Sequence, residues 1–464
     1  MTHTFAPEKT PTALAKMKRF LELWLGDLSF RQKYETAPDL LLKSHNIAVD
    51  PAILDALLKQ KTGRQPKYPL QLPSVEWDAY TQALQKKKHM MDDVRKYSRS
   101  HHPIFQKWRS RQIARNNQEI GSYRNDMIVY SPWAVELSKG CSVGCWFCGV
   151  SALQHENNFL HTKEQQKLWQ SVLTVMEEVL GKKAASCGFC YWATDPLDNP
   201  DYEAFIEDFY QILGVIPPST TAQPVKNIAR TKALLHYWKK RNASVQRFSI
   251  VTRKTFQKVM EAFSPEDLVD IELILQFDNT VVPKVLAGRA REMAQKRKKP
   301  IPGLNLDSDP STIACVAGFL LNMVDKTVKL IAPCAASSAF PLGYITFVEK
   351  TFSTAEDLKD TLFWMIDQHM KTAISQEDTL AINPIFQHTV EKDAVHFSSP
   401  FAKASYAKKA AYYPLAVELA KGKKKAVHLV QQLQEEYGID YITSFCQINT
   451  LFQKGLLDEA QFLP

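Results

Sequence analysis

The sequence predicts an α/β fold: a partial (β/α)6 TIM-like barrel with a helical N-terminal region and a C-terminal helix-turn-helix-like module. Two observations predict it. Between about residues 131 and 345, strand-like segments alternate with segments of helical periodicity, the pattern of parallel β/α units. Before and after that stretch, apolar residues recur at helical spacing. We therefore expect three regions, 1–130, 131–345 and 346–464.

The N-terminal region is predicted to be mostly helical. Its helices are expected at 13–28, 51–58, 76–98 and 104–118, with a proline-rich break at 66–73. No motif of recognisable chemistry occurs in it.

The central region contains six predicted strands and the helices between them. The strands are 134–138, 187–193, 218–223, 248–252, 271–277 and 312–324, with 327–331 a candidate partner for the last. The helices are 162–180, 202–213, 226–240, 255–263 and 283–298. Barrels of this type carry their sites at the carboxyl ends of the strands, so chemistry is expected in the loops that follow them.

The C-terminal region is predicted to be helical and basic. Its first segments are a helix at 354–374 and short strands at 394–398 and 403–408. The last stretch, 414–463, predicts a helix, a turn at Gly422, a helix at 426–437, a turn and a helix at 442–454, which together form a plausible helix-turn-helix module.

Composition narrows the class of protein. The 464 residues are 45% hydrophobic, enough for a large core, and no run of about twenty apolar residues predicts a membrane span. The N-terminus lacks the pattern of a signal peptide, and eight cysteines in a chain this long do not make a disulfide framework. We therefore expect a cytoplasmic protein. The net charge of +9 favours acidic partners, although each lysine run is better explained as a solvated helix face or turn.

Three cysteines follow the first predicted strand. Cys141, Cys145 and Cys148 are separated by three and then two residues, a spacing of thiolates that suits an iron–sulfur cube. A [4Fe–4S] cube has one iron more than this loop has thiolates, so one iron is left open for an outside ligand. The alternatives are a zinc site or buried structural thiols. Zinc needs a fourth ligand nearby, and His155, the nearest candidate, lies at an unusual spacing.

This cysteine loop resembles that of the radical S-adenosylmethionine (SAM) superfamily. In that superfamily the methionine end of SAM binds the open iron, and an electron from the cluster cleaves SAM to a 5′-deoxyadenosyl radical. The resemblance implies a radical SAM barrel, a [4Fe–4S] cluster held by the three cysteines, and SAM as second cofactor. It also places Phe147 beside the adenine.

Further SAM contacts are expected after later strands. Thr194 and Asp195 stand where the superfamily has a Gly-Gly-Glu-like motif, although the same residues also encode a helix cap and turn. At the fourth strand the candidates are Ser249, Thr252 and Arg253, and Arg253 is a candidate clamp for the SAM carboxylate. At the fifth strand they are Gln276 and Asp278, as contacts to ribose or substrate.

Longer strings, 136–149 and 194–202, resemble the radical SAM peptide epimerases that mature ribosomally made peptides of the proteusin, polytheonamide type. The resemblance implies that the radical removes an α-hydrogen from an L-residue of a precursor peptide. A cysteine thiol then returns a hydrogen atom on the other face, which gives a D-residue and consumes one SAM per epimerisation.

Carried over to this chain, Cys334 is the predicted hydrogen donor and Cys315 the second choice. Cys334 is expected at a strand exit near the barrel mouth, among small residues. Cys187 and Cys190 form a CxxC pair that would suit an auxiliary cluster, but we favour core packing for both because they lie in a predicted buried strand.

The C-terminal module resembles the peptide-recognition elements of the pyrroloquinoline-quinone chaperone type, which bind a leader peptide as an added strand. A generic helical cap is the alternative. The partners implied are a precursor peptide, leader and core, and an electron donor such as flavodoxin or ferredoxin, with no membrane and no nucleic acid. Two other functions stay open: a radical SAM enzyme that crosslinks peptides, and a non-catalytic nucleic-acid-binding protein with a structural metal.

Overall fold

The computed structural model describes residues 10–51, 54, 74–241, 243, 246–277, 285–296 and 311–463. The fold is mixed α/β. It divides into two compact units: unit 1 takes Met1–Asp93, Asp195–Leu197 and Val215–Lys284, and unit 2 takes Val94–Thr194, Asp198–Gly214 and Val285–Pro464. The three consecutive domains expected from the sequence stay a prediction.

The helices of the described chain are α1 (Thr10–Gly26), α2 (Leu28–Thr36), α3 (Pro38–Ser44), α4 (Val75–Tyr97), α5 (Pro103–Ile120), α6 (Ser122–Asp126), α7 (Lys163–Leu180), α8 (Lys182–Ala185), α9 (Tyr202–Leu213), α10 (Ile228–Lys240), α11 (Arg253–Ala262), α12 (Gly288–Lys296), α13 (Ala355–His369), α14 (Tyr413–Ala420), α15 (Ala426–Tyr437) and α16 (Tyr441–Gln453).

The strands are β1 (Ser131–Glu136), β2 (Ser138–Lys139), β3 (Asn157–Asn158), β4 (Ser219–Thr221), β5 (Gln246–Ile250), β6 (Ile271–Leu275), β7 (Val316–Asn322), β8 (Thr327–Pro333), β9 (Tyr344–Thr351), β10 (Thr379–Leu380), β11 (Gln387–Val390), β12 (Ala394–Ser398), β13 (Lys403–Ala407) and β14 (Lys424–Lys425).

Unit 1 is built on a parallel sheet with the order β4-β5-β6. Its helices α1 to α3 enclose an aromatic cluster in which Phe20 contacts Phe30 and Tyr34 edge to face, at centroid distances of 5.2 and 5.8 Å. Arg19 of α1 donates hydrogen bonds to the carbonyl oxygens of Met260 (3.2 Å) and Phe263 (2.7 Å). These contacts fix α1 against the C-terminal end of α11.

Unit 2 is built on a four-stranded sheet with the order β1-β7-β8-β9. β7 runs parallel to β1, and β8 and β9 are antiparallel to their neighbours. On the other side of β1, Ala134 forms a parallel bridge to Phe189. The buried residues Ala134, Phe189, Val316, Leu320 and Ile331 form one cluster on this sheet.

Most predicted elements are confirmed, several with the same bounds, such as α9 and α15. The predicted helix 51–58 and the break at 66–73 lie largely outside the described residues. The predicted second strand, 187–193, is wrong apart from the bridge at Phe189. Its apolar residues indicated a strand, but most of this segment forms no ladder: Val135 N donates to the Phe189 carbonyl (2.9 Å) and Ala193 N to the Glu136 side chain (2.8 Å).

The predicted sixth strand, β7, has β1 and β8 as its two neighbours. Its expected pairing with 327–331 is confirmed, because that segment lies in β8. The described part of the chain has no helix that is both long and apolar enough to cross a membrane.

A buried charged network links distant segments of unit 2. Arg111 and Arg115 of α5 are each 2% exposed or less. Arg111 forms a bidentate ion pair with Glu459, one bond of which measures 2.9 Å. Arg115 pairs with Glu119 (3.0 Å) and donates to the Pro333 carbonyl (2.6 Å). Burial opposes ionisation of Glu459, but Arg111 and Arg115 hold its pKa below the ordinary value.

We predict that Glu459→Ala lowers the free energy of unfolding by about 3–5 kcal/mol, because it leaves the buried Arg111 guanidinium without its counter-ion. Urea unfolding followed by tryptophan fluorescence measures this. The control is Glu377→Ala, which removes an exposed ion pair with Lys425 (3.0 Å) and should cost less than about 1 kcal/mol. Equal losses in the two variants would contradict the prediction.

Candidate functional site

The cysteine loop begins just after the carboxyl end of β1. β2 pairs with β3, Cys141 N donates to the Leu153 carbonyl (2.9 Å), and the two ends of the loop are thereby held together. Gly140 has a φ of +76°, and a Cβ there would lie 2.1 Å from the Gln154 carbonyl oxygen. Only glycine therefore allows the backbone to enter the loop at this point.

A carboxylate and an arginine also hold the loop. Asp198 accepts hydrogen bonds from Ser142 N (2.8 Å) and from the Ser142 hydroxyl. Arg289, in the first turn of α12, donates to the carbonyls of Cys145 (2.7 Å) and Ala152 (2.6 Å). Each of the two side chains contacts the loop's backbone, so the chain path around the cysteines is fixed from two sides.

The three thiols are half-buried and free of disulfides. Ala152 N donates a hydrogen bond to Cys148 Sγ (3.3 Å), a contact that suits a thiolate. A Cβ built at Gly144 would have no heavy atom within 4 Å, so the loop has open space there. Three soft sulfur donors on one short loop fit an iron–sulfur cluster.

Among the residues that the structure describes, no group of three or more His, Cys, Asp or Glu side chains is arranged to hold a metal ion. The thiolates of a cubane cluster each bind a different iron, so they need not converge on one point. The ligand roles of Cys141, Cys145 and Cys148 therefore stay a prediction that the chemistry of the loop fits.

Phe147, which is predicted to lie beside the adenine of SAM, is half-buried. Its ring contacts Trp146 edge to face, with centroids 5.4 Å apart. The aromatic pair belongs to the loop itself, between the second and third cysteines.

Asp195 is buried and engaged in unit 1. Its carboxylate accepts hydrogen bonds from Leu197 N (3.0 Å), the Thr221 hydroxyl (2.8 Å) and Ala222 N (2.7 Å). The carboxylate thus holds the turn that the sequence also encodes and joins it to the end of β4. Thr194 is half-buried and belongs to unit 2. A contact of either residue with SAM stays a prediction.

The other predicted SAM contacts lie in unit 1, at or beside the carboxyl ends of β5 and β6. Ser249 is half-buried in β5, and Thr252 is the exposed N-cap of α11, accepting from Thr255 N (3.0 Å). Arg253 is exposed. Gln276 N donates to the Ile250 carbonyl (2.9 Å), which brings the two strand ends together. Asp278 lies outside the described residues.

The remaining cysteines differ in burial. Burial raises the pKa of Cys190 and of Cys187, and the Cys187 thiol donates to the Lys183 carbonyl (3.3 Å). Packing therefore accounts for both.

Cys334 is buried and lies at a strand exit, as expected, but at the end of the sheet opposite to the start of the cysteine loop. β8 runs antiparallel to β7, so its end at Pro333 lies at the edge where β1 begins rather than at the edge where the cysteine loop starts. Cys334 follows that end and is 1% exposed. Burial and the nearby Glu119 raise the pKa of its thiol, although Arg115 opposes the shift.

Cys315 also lies at the edge where β1 begins, since Ser131 N donates to its carbonyl (2.8 Å). Unlike Cys334 it is half-buried, and it packs on the cluster that contains Ala134 and Phe189. The cysteine loop turns back toward this edge: a Cβ on Gly149 would lie 2.8 Å from the side chain of Ile313, two residues before Cys315.

Sequence reasoning missed two residues that hold the site. The carboxylate of Glu136, the last residue of β1, accepts from Ala193 N (2.8 Å) and Asn322 Nδ2 (3.0 Å), and burial raises its pKa. An acidic residue ending an apolar strand was a signal for it. Arg289 gave no such signal, because it lies in a basic segment that reads as a solvated helix.

The C-terminal strands predicted from the sequence are confirmed. β11, β12 and β13 form an antiparallel sheet, and all four residues of its edge strand β11 are exposed. β11 was not predicted, and peptide recognition by the C-terminal module stays a prediction.

The fold and the site define a mixed α/β protein with a three-cysteine loop after a buried strand. No family model matches the chain. It is 33% identical over 465 residues to the "Uncharacterized protein y4wI" of Sinorhizobium fredii (strain NBRC 101917 / NGR234), over 98% of this chain and 88% of that protein. The chain belongs to the same family as this rhizobial protein.

Among solved structures, the chain is similar to that described as "Crystal structure of BtrN in complex with AdoMet and 2-DOIA". The similarity has a TM-score of 0.29 and 13% identity, over 43% of this chain and 72% of that chain. A TM-score this low does not establish a shared fold.

We predict that Asp195→Ala, in protein without added ligand, lowers the free energy of unfolding by more than about 2 kcal/mol, because it leaves the buried Thr221 hydroxyl and the half-buried Ala222 N–H without their acceptor. Urea unfolding measures it, with Thr194→Ala as the control that should cost less than about 1 kcal/mol. If Asp195→Ala were as stable as the control, the carboxylate would have no structural role.

We predict that Gly288→Ala loosens the cysteine loop. Gly288 has a φ of +53°, and its new Cβ would lie 2.4 Å from the Gly149 carbonyl oxygen. Amide hydrogen exchange across 141–153 should become faster. Gly144→Ala is the matched control, since its φ is also positive (+64°) but a Cβ there has open space. Equal exchange in both variants would show that the close contact is unimportant.

Proposed function

We propose that the protein is a radical SAM enzyme that converts L- to D-residues in a ribosomally made precursor peptide. The observation that carries the proposal is the loop of Cys141, Cys145 and Cys148, half-buried and fixed on its backbone by Asp198 and Arg289. The proposal does not depend on a complete (β/α)6 barrel. It depends on a thiolate loop that follows a buried strand.

In this proposal the three cysteines hold a [4Fe–4S] cluster, and Phe147 lies beside the adenine of SAM. When bound, the cluster and SAM together would provide the radical chemistry that removes a hydrogen atom from a carbon. The residues that the resemblance offers as contacts to SAM or substrate are Thr194, Asp195, Ser249, Thr252, Arg253 and Gln276.

The chain's own part in the chemistry is the return of a hydrogen atom. A thiol donor must be protonated: its S–H bond breaks, a C–H bond forms on the opposite face of the α-carbon, and the sulfur is left as a thiyl radical. One electron from the flavodoxin- or ferredoxin-type donor and one solvent proton then return the thiyl radical to the thiol. We propose Cys315 as the donor, ahead of Cys334. Cys315 is half-buried and lies two residues from the side chain that faces the cysteine loop, whereas Cys334 is enclosed beside Arg115.

The partners follow from the same proposal. A peptide substrate with acidic character suits the net charge of +9. The exposed edge of β11 would add a leader segment as a further strand. Flavodoxin or ferredoxin would supply the electron in a reducing cytoplasm.

The test is co-expression with a candidate precursor peptide in deuterated water, followed by mass spectrometry. Thiol hydrogens exchange with solvent, so each epimerised α-carbon should gain one deuterium. We expect Cys315→Ala to abolish the deuterium. Cys446→Ala, which removes an exposed thiol on α16, should leave it unchanged.

Other outcomes separate the alternatives. Deuterium that is lost only in Cys334→Ala would make Cys334 the donor. Loss of two hydrogens from the peptide without α-deuterium would indicate crosslinking and contradict epimerisation. A purified protein with neither about four irons nor SAM cleavage would contradict the radical SAM proposal and favour a structural metal.

A further inference from the structure

The cysteine loop is bound by a single guanidinium. Arg289 NH1 donates to the Cys145 carbonyl (2.7 Å) and NH2 to the Ala152 carbonyl (2.6 Å). The backbone N of the same residue donates to the Cys148 carbonyl (2.9 Å). Arg289 therefore contacts the carbonyl oxygens of two of the three cysteines, Cys145 and Cys148, and that of Ala152 in the segment that follows them.

The neighbouring glycine makes this approach possible. A Cβ at Gly288 would lie 2.4 Å from the Gly149 carbonyl oxygen and 2.8 Å from that of Cys148. Gly288 N donates to the Pro341 carbonyl (2.7 Å), which fixes the start of α12 from its other side. The backbone of α12 thus contacts the backbone of the loop directly. The backbone position of Arg289 is therefore fixed next to the loop.

We propose that Arg289 is a positioning residue for the metal centre: it keeps the cysteine loop closed and favours the reduced state of a cluster held there. This inference rests on the proposed function. Reduction adds one electron to the cluster, and a permanent positive charge against the backbone of its ligands stabilises the more negative state. The half-buried guanidinium is screened less than an exposed one would be.

The charge and the hydrogen-bonding fork can be separated by substitution. Arg289→Gln removes the charge and most of the fork, and Arg289→Lys keeps the charge but not the paired geometry. Arg291→Gln is the matched control: it removes the same charge from a half-buried position on the same helix.

The measurements are made on the reconstituted full chain: the midpoint potential from an optical and electron paramagnetic resonance titration, and the rate of iron loss to a chelator. For Arg289→Gln we expect a more negative midpoint potential and iron loss about tenfold faster. For Arg289→Lys we expect a potential close to that of the wild type with faster iron loss. Arg291→Gln should match the wild type in both.

The results distinguish this inference from the proposed function. A wild-type chain that forms no [4Fe–4S] cluster would defeat the proposed function. A wild-type chain that forms one, while Arg289→Gln keeps the same potential and the same iron retention, would overturn the role of Arg289 alone. If Arg289→Gln does not fold, Arg289→Lys decides, because unchanged iron retention there would also overturn it.

Discussion

Much of unit 2 depends on two buried ion pairs, Arg111 with Glu459 and Arg115 with Glu119. Buried guanidinium groups are tolerated only when carboxylates and carbonyls surround them. Glu459 comes from the last turn of the chain, Glu119 from the same helix, and the Pro333 carbonyl from the end of β8. Asn383 also donates to Glu119 (3.1 Å). Segments far apart in sequence must therefore assemble together around α5.

That constraint explains the state of Cys334. Ala335 N donates to Glu119 (2.9 Å) and Cys334 N to the Gly343 carbonyl (3.0 Å), so the thiol lies between two backbone anchors beside Arg115. A sequence of small residues suggested a flexible strand exit. The structure instead holds the backbone on both sides of Cys334 by hydrogen bonds to Glu119, Arg115 and Gly343.

Three carboxylates of this protein hold loops or turns in place. Glu136 ties the end of β1 to Ala193 and Asn322, Asp195 ties a turn to the end of β4, and Asp198 ties down the cysteine loop. None of these forms a pair suited to acid–base catalysis. The cysteine loop is thus held on its backbone by Asp198 as well as by Arg289.

The sequence alone determined the local features: the cysteine spacing, the helices α9 and α15, and the hairpin of β7 and β8, because periodicity and short turns are local properties. Asn322, whose side chain accepts from Val324 N (2.9 Å), even marks the turn that makes β8 antiparallel. Only the tertiary structure decided what depends on distant segments. The antiparallel return of β8 carries Cys334 to the opposite edge of the sheet, and Arg289 meets Cys145 across a sequence separation of 144 residues. No local pattern encodes such contacts, since they arise from the packing of whole elements.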